Sequence, residues 1–522
     1  MQITKLPQEF LDVVLSNNGL KQYLSNLLKG KDFTDRSWLY EDIEPQEVLD
    51  RWLEHLQKLE SGDTFEQNVF QFDTSQIEKW GPQGGVKPIA DLMDTIVLPT
   101  FKAHDVPEAF GGDDWEKAKD AMIKQFRSNG IIALRPVSLE RVVDDMKARD
   151  TLESNSGWPD FTRRNKPEVK AAAVQAARSE EWLDFPAIAL FRNYNLKTRL
   201  VWMFPFATNI KEGSFFQAAQ SSIIKQNMRL FSPWQGFDEV RQHITRAYDD
   251  GKFLAASDFS ATDEHFQLPS SYQVYDVLKM LFQKQYSSGL RQSLERMHSI
   301  PLVIGPDEMV TGRHGVSSGS NWTNFVETIF DGTLGHYVNI KTDGRFECFY
   351  AIGDDMTWVT DKYDDAFQRN LEDYGKQVGQ EIKAEKTTND PDKVKTLQRL
   401  FQRGYRRPDG QLRGVYSTVR ALKSSVYPEK FHKPELWSSD MFCARQFMIL
   451  ENCVDHPLFE EFVKFVCAGS RHLIPFAQKS EQELNKITRE SKLLPGLNVT
   501  YNQEKRDSSL ANFSSIAVAR NL

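Results

Sequence analysis

Two short stretches place aspartates where a strand should end. Ser257-Asp258-Phe259-Ser260-Ala261-Thr262-Asp263 follows the apolar run Phe253-Leu254-Ala255-Ala256, which reads as a buried strand. Gly353-Asp354-Asp355 separates two β-prone runs, Phe346 to Ile352 and Met356 to Val359, and the three segments read as a hairpin. Magnesium prefers oxygen ligands and usually takes one or two protein carboxylates beside substrate phosphates. Two such ions roughly 3.5–4 Å apart support in-line phosphoryl transfer. A strand end carrying Asp258 beside a hairpin tip carrying Asp354 and Asp355 meets that requirement, with Gly353 allowing the tight turn.

Aspartate pairs are common in this chain, so the pair alone decides nothing. Gly112-Asp113-Asp114 repeats the tripeptide, and Tyr-Asp-Asp occurs at 248–250 and 363–365, none bracketed by two apolar strands. Asp113 or Asp114 is expected to cap a helix starting near Trp115. What singles out 353–355 is company. Gly315-Val316-Ser317-Ser318-Gly319-Ser320-Asn321-Trp322-Thr323-Asn324 lies between the two carboxylate stretches. This small-residue loop runs into a helix, lets backbone approach a nucleotide closely and offers hydroxyls and amides to its sugar. By itself it reads rather as a flexible turn capping a helix.

The elements that must position these residues are spread over 522 residues, enough for roughly two to four subdomains. Residues 7–60 carry helical apolar spacing, and Gly81-Pro82-Gln83-Gly84-Gly85 closes that region without matching a phosphate-binding P-loop. Residues 115–190 read as mainly helical, 251–405 as short strands alternating with helices, and the rest from 405 as helical. From Asn502 onward a polar tail or extended arm is expected. The net charge of −8 argues against a generally basic surface, yet not against a basic channel. Residues 399–433 hold nine Lys and Arg against Asp409 and Glu429, which suggests RNA phosphates or else a solvated face. Tyr405 and Tyr416 lie in the same stretch and would suit stacking. Four cysteines without CxxC spacing suggest neither zinc nor disulfides. No signal peptide is evident and no apolar run approaches the ~18 residues that span a bilayer, so a soluble intracellular protein is expected. The sequons Asn321-Trp322-Thr323 and Asn498-Val499-Thr500 carry little weight in that setting.

The order of these stretches resembles the polymerase motifs of positive-strand and double-stranded RNA viruses. Asp258 with Asp263 resembles motif A, Ser318-Gly319 with Thr323 motif B, and Gly353-Asp354-Asp355 motif C. Leu196-Lys197-Thr198-Arg199-Leu200-Val201-Trp202 resembles motif F, and Ser154-Asn155-Ser156-Gly157-Trp158-Pro159 motif G at the template entrance. Downstream, Ile382-Lys383-Ala384-Glu385-Lys386-Thr387 resembles motif D and Leu397-Gln398-Arg399-Leu400-Phe401 motif E. The strings around 197–202 and 318–325 look most similar to picobirnavirus polymerases, with partitivirus polymerases next. One departure stands out. Motif B in many relatives carries Asn nine residues after its Ser, where this chain has Glu327, with Asn324 on nearly the same helical face.

The resemblance implies an α+β right-hand fold with an antiparallel palm sheet and mainly helical fingers and thumb. The expected division is an N-terminal helical region over 1–70 that bridges fingers and thumb, fingers over 71–250 and 268–310, palm over 251–267 and 311–404, and thumb and tail over 405–522. It also implies roles. Asp258 and Asp354 would hold two Mg2+ (Mn2+ can substitute), with Asp355 assisting. Lys197, Arg199 and Arg192 would hold the triphosphate, and Lys386 would act as general acid or else be a solvated lysine. Asp263, Ser318, Gly319, Thr323 and Asn324 would line the nucleotide. A carboxylate at 263 can accept a hydrogen bond from a ribose hydroxyl, where reverse transcriptases place an aromatic gate. Ser156, Gly157, Arg399, Arg403, Arg406 and Arg407 would meet RNA. Implied partners are template and product RNA, NTPs and a capsid protein, with no membrane. The expected protein is a monomer in the virion interior and the host cytoplasm, replicating a double-stranded RNA genome. A reverse transcriptase and an RNA-binding virion protein with a decayed palm are the alternatives; intact Asp258, Asp354, Arg199 and Lys386 speak against the second.

Overall fold

The apolar runs pair into three sheets, set among helices that fill the rest of the chain. A computed structural model describes residues 1–522 except 150, 384, 385, 431, 495, 496, 498–503 and 506. Ala384 and Glu385 of the motif D stretch, the Asn498-Val499-Thr500 sequon and the Asn502 boundary of the expected tail therefore lie outside the described residues.

The first sheet contains β1 (Gln2–Lys5), β2 (Ala187–Tyr194), β3 (Lys197–Met203), β5 (Leu302–Val303) and β6 (Glu308–Thr311), in the order β1-β6-β5-β2-β3. The β2–β3 hairpin turns through Asn195 and Leu196, both at positive φ, as a two-residue type I′ turn demands. The central sheet contains β4 (Phe253–Ser260), β7 (Glu347–Ile352), β8 (Asp355–Thr360) and β10 (Thr388–Asn389), in the order β10-β4-β8-β7. The short β9 (Glu381–Ile382) pairs with the end of β4. A third sheet, β11 (Lys393–Thr396), β12 (Arg399–Gln402) and β13 (Val415–Tyr416), links the central sheet to the C-terminal helices.

The helix Trp322–Lys341 is buried on nearly all sides and lies across β7, with the Asp113–Ser128 helix against it. Trp115, Phe325, Phe330, Trp358 and Phe367 fill the core between them. That helix therefore fixes where the β7–β8 hairpin can sit.

The N-terminal region packs in two places. Leu6, Val14, Leu20 and Leu24 bury beneath the first sheet, while Leu39, Trp52, Phe65 and Val69 join the core of the C-terminal helices. Between them a strap crosses the molecule. Lys31 bridges Val86, Thr34 Oγ1 donates to the Glu429 carbonyl at 2.7 Å, and Ser37 N donates to the Val426 carbonyl at 2.9 Å. Buried Asp73 then accepts hydrogen bonds from Ser417, Thr418 and His456, tying the Thr64–Thr74 helix to the C-terminal core.

Two expectations fail. The C-terminus is not an extended arm: the helix Ser514–Arg520 buries Ile516 and Ala519 among the C-terminal helices, with Leu510 and Phe513 beside them. Apolar residues at helical spacing outweighed the polar composition there. Asp113 and Asp114 cap nothing through their side chains either; Gly112 is the N-cap and both aspartates sit in the first turn. There they favour the helix dipole, and Asp114 pairs with Lys341 at 2.9 Å. No helix among the described residues is long and apolar enough to cross a membrane.

Candidate active site

Antiparallel pairing sets Asp258 of β4 opposite Asp355 of β8, and Phe259 N donates to the Asp354 carbonyl at 3.1 Å. Ile352 and Asp355 close the β7–β8 ladder, so Gly353 and Asp354 form a two-residue turn. Gly353 has φ +57°, the sign that a type II′ turn requires at its first position. A Cβ there would also lie 2.9 Å from Asn324 Nδ2, so glycine is needed for space as well. Gly353 N donates to Thr328 Oγ1 at 2.9 Å, pinning the tip to the Trp322–Lys341 helix. The result brings one ligand oxygen from each of Asp258, Asp354 and Asp355 within 4.8 Å of the others. An all-carboxylate donor set of this size suits a hard divalent cation.

The electrostatics agree. Burial and then the Asp354 charge push Asp258 up to about 6. Burial, Asp354 and Asp258 raise Asp355 well above the carboxylate range. Asp263 is also pushed up to about 6, by burial and by Asp354. Three cations pull the other way: Lys386, Lys197 and Arg199 lower Asp258, and Lys197 and Arg199 lower Asp263. Lys197 itself lies below its ordinary value, through burial and its neighbours Arg199 and Lys386. The structure thus brings together the carboxylates, the two basic residues of β3 and Lys386, which the chain separates by up to 189 positions.

The small-residue loop acts as a joint. A Cβ on Gly319 would fall 1.5 Å from the Trp202 carbonyl, and one on Gly315 would fall 1.7 Å from the Asp263 carbonyl. Ser318 Oγ donates to Leu200 O at 3.3 Å, Thr323 Oγ1 donates to Ser317 O, and Asn324 Oδ1 accepts from Trp234 Nε1 at 3.3 Å. These side chains hold the loop between β3 and the hairpin tip. Sequence reasoning missed what supports them. Glu212, buried in the Phe206–Lys225 helix, accepts from Ser320 Oγ, from Asn321 N at 3.0 Å and from Asn209 Nδ2 at 3.0 Å. Glu327 is buried beside Gly353, pushed far up by burial, Asp354 and Asp263. One turn on, Asp331 is buried with neither oxygen hydrogen-bonded among the described residues.

Several expected contacts lie elsewhere. Arg192 is not aimed at the carboxylates: it makes a two-pronged bond to Glu429 at 2.7 and 2.8 Å, joining β2 to the C-terminal region. The arginines expected to meet RNA all make contacts within the chain, Arg406 at the surface and the others partly or fully buried. Arg399 is fully buried and donates to Asn452 O at 2.8 Å. Arg403 donates to the Tyr248 and Lys252 carbonyls, both at 2.9 Å. Arg406 pairs with Asp249, and Arg407 with Asp455 and Glu504. Their acids are distant in sequence, so a local charge count could not find them. Tyr405 is likewise stacked on Phe65, at 3.9 Å between centroids. Ser156 is buried, its hydroxyl accepting from Thr162 N, and its carbonyl accepts from Phe206 N at 2.8 Å. Gly157, at φ +65°, lets this loop close on the Phe204 carbonyl.

Known proteins with similar sequence or fold give this site its context. The family model described as "Viral RNA-dependent RNA polymerase" matches residues 195–428, the span holding every charged group just named around the carboxylates. The chain is 28% identical over 492 residues to the "Potential RNA-dependent RNA polymerase" of Human picobirnavirus (strain Human/Thailand/Hy005102/-), covering 88% of this chain and 86% of that protein. The chain resembles the viral RNA-dependent RNA polymerases. The crystal structure of the RNA-dependent RNA polymerase of a human picobirnavirus superposes on this chain with a TM-score of 0.81 at 23% identity, covering 99% of both chains. An insertion-loop deletion mutant of the human picobirnavirus enzyme gives 0.80. The right-hand polymerase fold follows, with an antiparallel central sheet.

Proposed function

We propose that this polymerase extends the 3′ end of RNA by adding ribonucleotides on a template, with Asp258 and Asp354 as ligands of two Mg2+ (or Mn2+) and Asp355 assisting. The observation that carries this reading is the three-carboxylate cluster, within 4.8 Å, facing Lys197, Arg199 and Lys386. The bound ions would activate the 3′-hydroxyl and neutralise charge on the triphosphate. The protein's own residues do the rest. Lys197 and Arg199 hold the triphosphate from β3, where a planar guanidinium spans two phosphate oxygens. Lys386 protonates the departing pyrophosphate as general acid. Asp263 accepts the ribose 2′-hydroxyl, favouring NTPs over dNTPs and separating this enzyme from a reverse transcriptase. Ser318, Gly319, Thr323 and Asn324 place the nucleotide by fixing the loop, and Ser156 and Gly157 shape the template entrance through backbone geometry.

The expected division into fingers, palm and thumb is retained at the boundaries given above. Within it the setting we infer is a monomer working with template RNA, product RNA and NTPs on a double-stranded RNA genome. It would sit inside a capsid in the virion and in the host cytoplasm. RNA synthesis on a single-stranded template with Mg2+ or Mn2+ tests the core of this reading. Asp354→Asn should abolish it, and undiminished synthesis by that variant would overturn the metal assignment.

A further inference from the structure

A cleft away from the carboxylates lies between the N-terminal strap and the region 428–445, lined by Trp38, Lys430, His432, Trp437, Phe442 and Arg445 among others. One wall is aromatic. His432 stacks on Trp437 at 4.8 Å with 7° between ring planes, and Trp38 approaches Trp437 at 6.4 Å and Phe442 at 5.4 Å. Trp38 is 38% exposed, an unusual cost for an indole unless something covers it.

The charge in the cleft is equally uncommitted. Glu429, the acid next to Lys430, is taken by Arg192. Lys430 is exposed and has no ion pair among the described residues. Arg445 has none either; burial pulls its guanidinium down to about 10, and the one group raising it is Tyr194. His432 is pushed down by burial and by Arg445 and Lys430, which places both cations beside the ring. A third cation, Arg36, is spent on the carbonyls of Ile43, Leu39 and Tyr40. Asp35 is the one carboxylate among the lining residues. In a chain of net charge −8, two cations without an ion pair among the described residues, beside an open aromatic wall, suit an anionic partner with a flat face.

We propose that this cleft is a second nucleotide site, in which a base stacks on the Trp38–Trp437–His432 wall and phosphates meet Lys430 and Arg445. The same chemistry is presented by a free nucleoside triphosphate and by the 5′-triphosphorylated end of an RNA strand. The site is built without the catalytic carboxylates, so it stands or falls independently of the metal assignment.

Calorimetric titration of the full-length Asp354→Asn protein in EDTA, without template, tests it. The probes are ATP, a 5′-triphosphorylated tetranucleotide and inorganic tripolyphosphate. ATP or the tetranucleotide should bind at one site, and whichever binds tighter names the source. Lys430→Ala, a change at an exposed side chain, and Trp38→Ala should each weaken that binding by about tenfold. Arg445→Lys should weaken it while leaving the melting temperature unchanged. Tripolyphosphate should bind more weakly than ATP and be indifferent to Trp38→Ala. Absence of nucleotide binding in EDTA overturns the proposal, as does equal affinity of wild type and Lys430→Ala. Tripolyphosphate matching ATP would reduce the cleft to an anion patch and overturn the stacking it requires.

Discussion

Replacing Gly315 by alanine should damage catalysis through a residue it never touches by side chain. The new Cβ would lie 1.7 Å from the Asp263 carbonyl oxygen and 2.8 Å from its carbon. Both are backbone atoms, so no side chain can swing aside, and Gly315 N is itself anchored to the Thr100 carbonyl at 2.9 Å. Even the shortest separations that real Cβ atoms show, near 3.0 Å, require more than an ångström of movement. That movement falls on the short helix Thr262–His265, which carries the Asp263 carboxyl. A misplacement of about 1 Å in a positioned group costs on the order of 100-fold in rate. Overpacking costs about 1–3 kcal/mol of stability. The assay is single-nucleotide extension with an NTP and its matching dNTP, alongside a thermal melt. The kcat/KM for the NTP should fall about 100-fold and the preference for NTP over dNTP should shrink, given the proposed contact of Asp263 with the ribose. Gly111→Ala, with nothing within 4 Å of its Cβ, is the control and should change neither. A folded Gly315→Ala enzyme with unchanged kcat/KM and unchanged sugar preference would refute the reasoning.

Further outcomes follow from the same structure. Asp258 titrates near 6, so protons compete with the metal below that pH, and half-saturation by Mg2+ should rise about tenfold per pH unit there. Because its folded value is raised, the metal-free protein should lose stability as pH climbs from the ordinary carboxylate range near 4 through 6; melting with and without Mg2+ reads this directly. Glu504→Gln breaks a buried cluster with Arg241, Arg399 and Arg407 and should cost about 3–5 kcal/mol, seen as a large fall in melting temperature. Arg192→Ala, losing a half-exposed pair with Glu429, should cost under about 1 kcal/mol and leave the KM for NTP within about twofold. A large KM effect would restore Arg192 to the triphosphate site.

The sequence spoke clearly where chemistry and local geometry coincide. Gly353-Asp354-Asp355 lies between two apolar runs and its turn was readable from period and punctuation, whereas the strand expected to end before Asp258 runs on to Ser260, because pairing with β8 and β9 extends it past its apolar run. Lys197, Arg199 and Lys386 were named through resemblance, and the structure brings them to the same carboxylates. What stayed hidden depends on partners far along the chain. Arg192 finds Glu429 across 237 positions and Arg406 finds Asp249 across 157, so part of the charge that looked ready for phosphate is taken up within the chain. Glu212 and Asp331 were unreadable for the opposite reason: a buried acid has no local signature until its surroundings are known. The helix at the C-terminus was missed because four buried apolar residues, Leu510, Phe513, Ile516 and Ala519, are diluted among polar ones.

The N-terminal strap has a consequence for how the chain reaches this state. Thr34 bonds to residue 429, Ser37 to 426 and Tyr40 to Phe465, separations of about four hundred positions. During synthesis those partners emerge last, so the strap must wait unpaired while most of the enzyme is made. Closing loops of that length adds only slowly to the entropic cost, but contacts so remote in sequence slow the search. The strap at 34–40 is then expected to dock only after residues 426–465 are made, whereas Leu6, Val14, Leu20 and Leu24 can already pack beneath the first sheet.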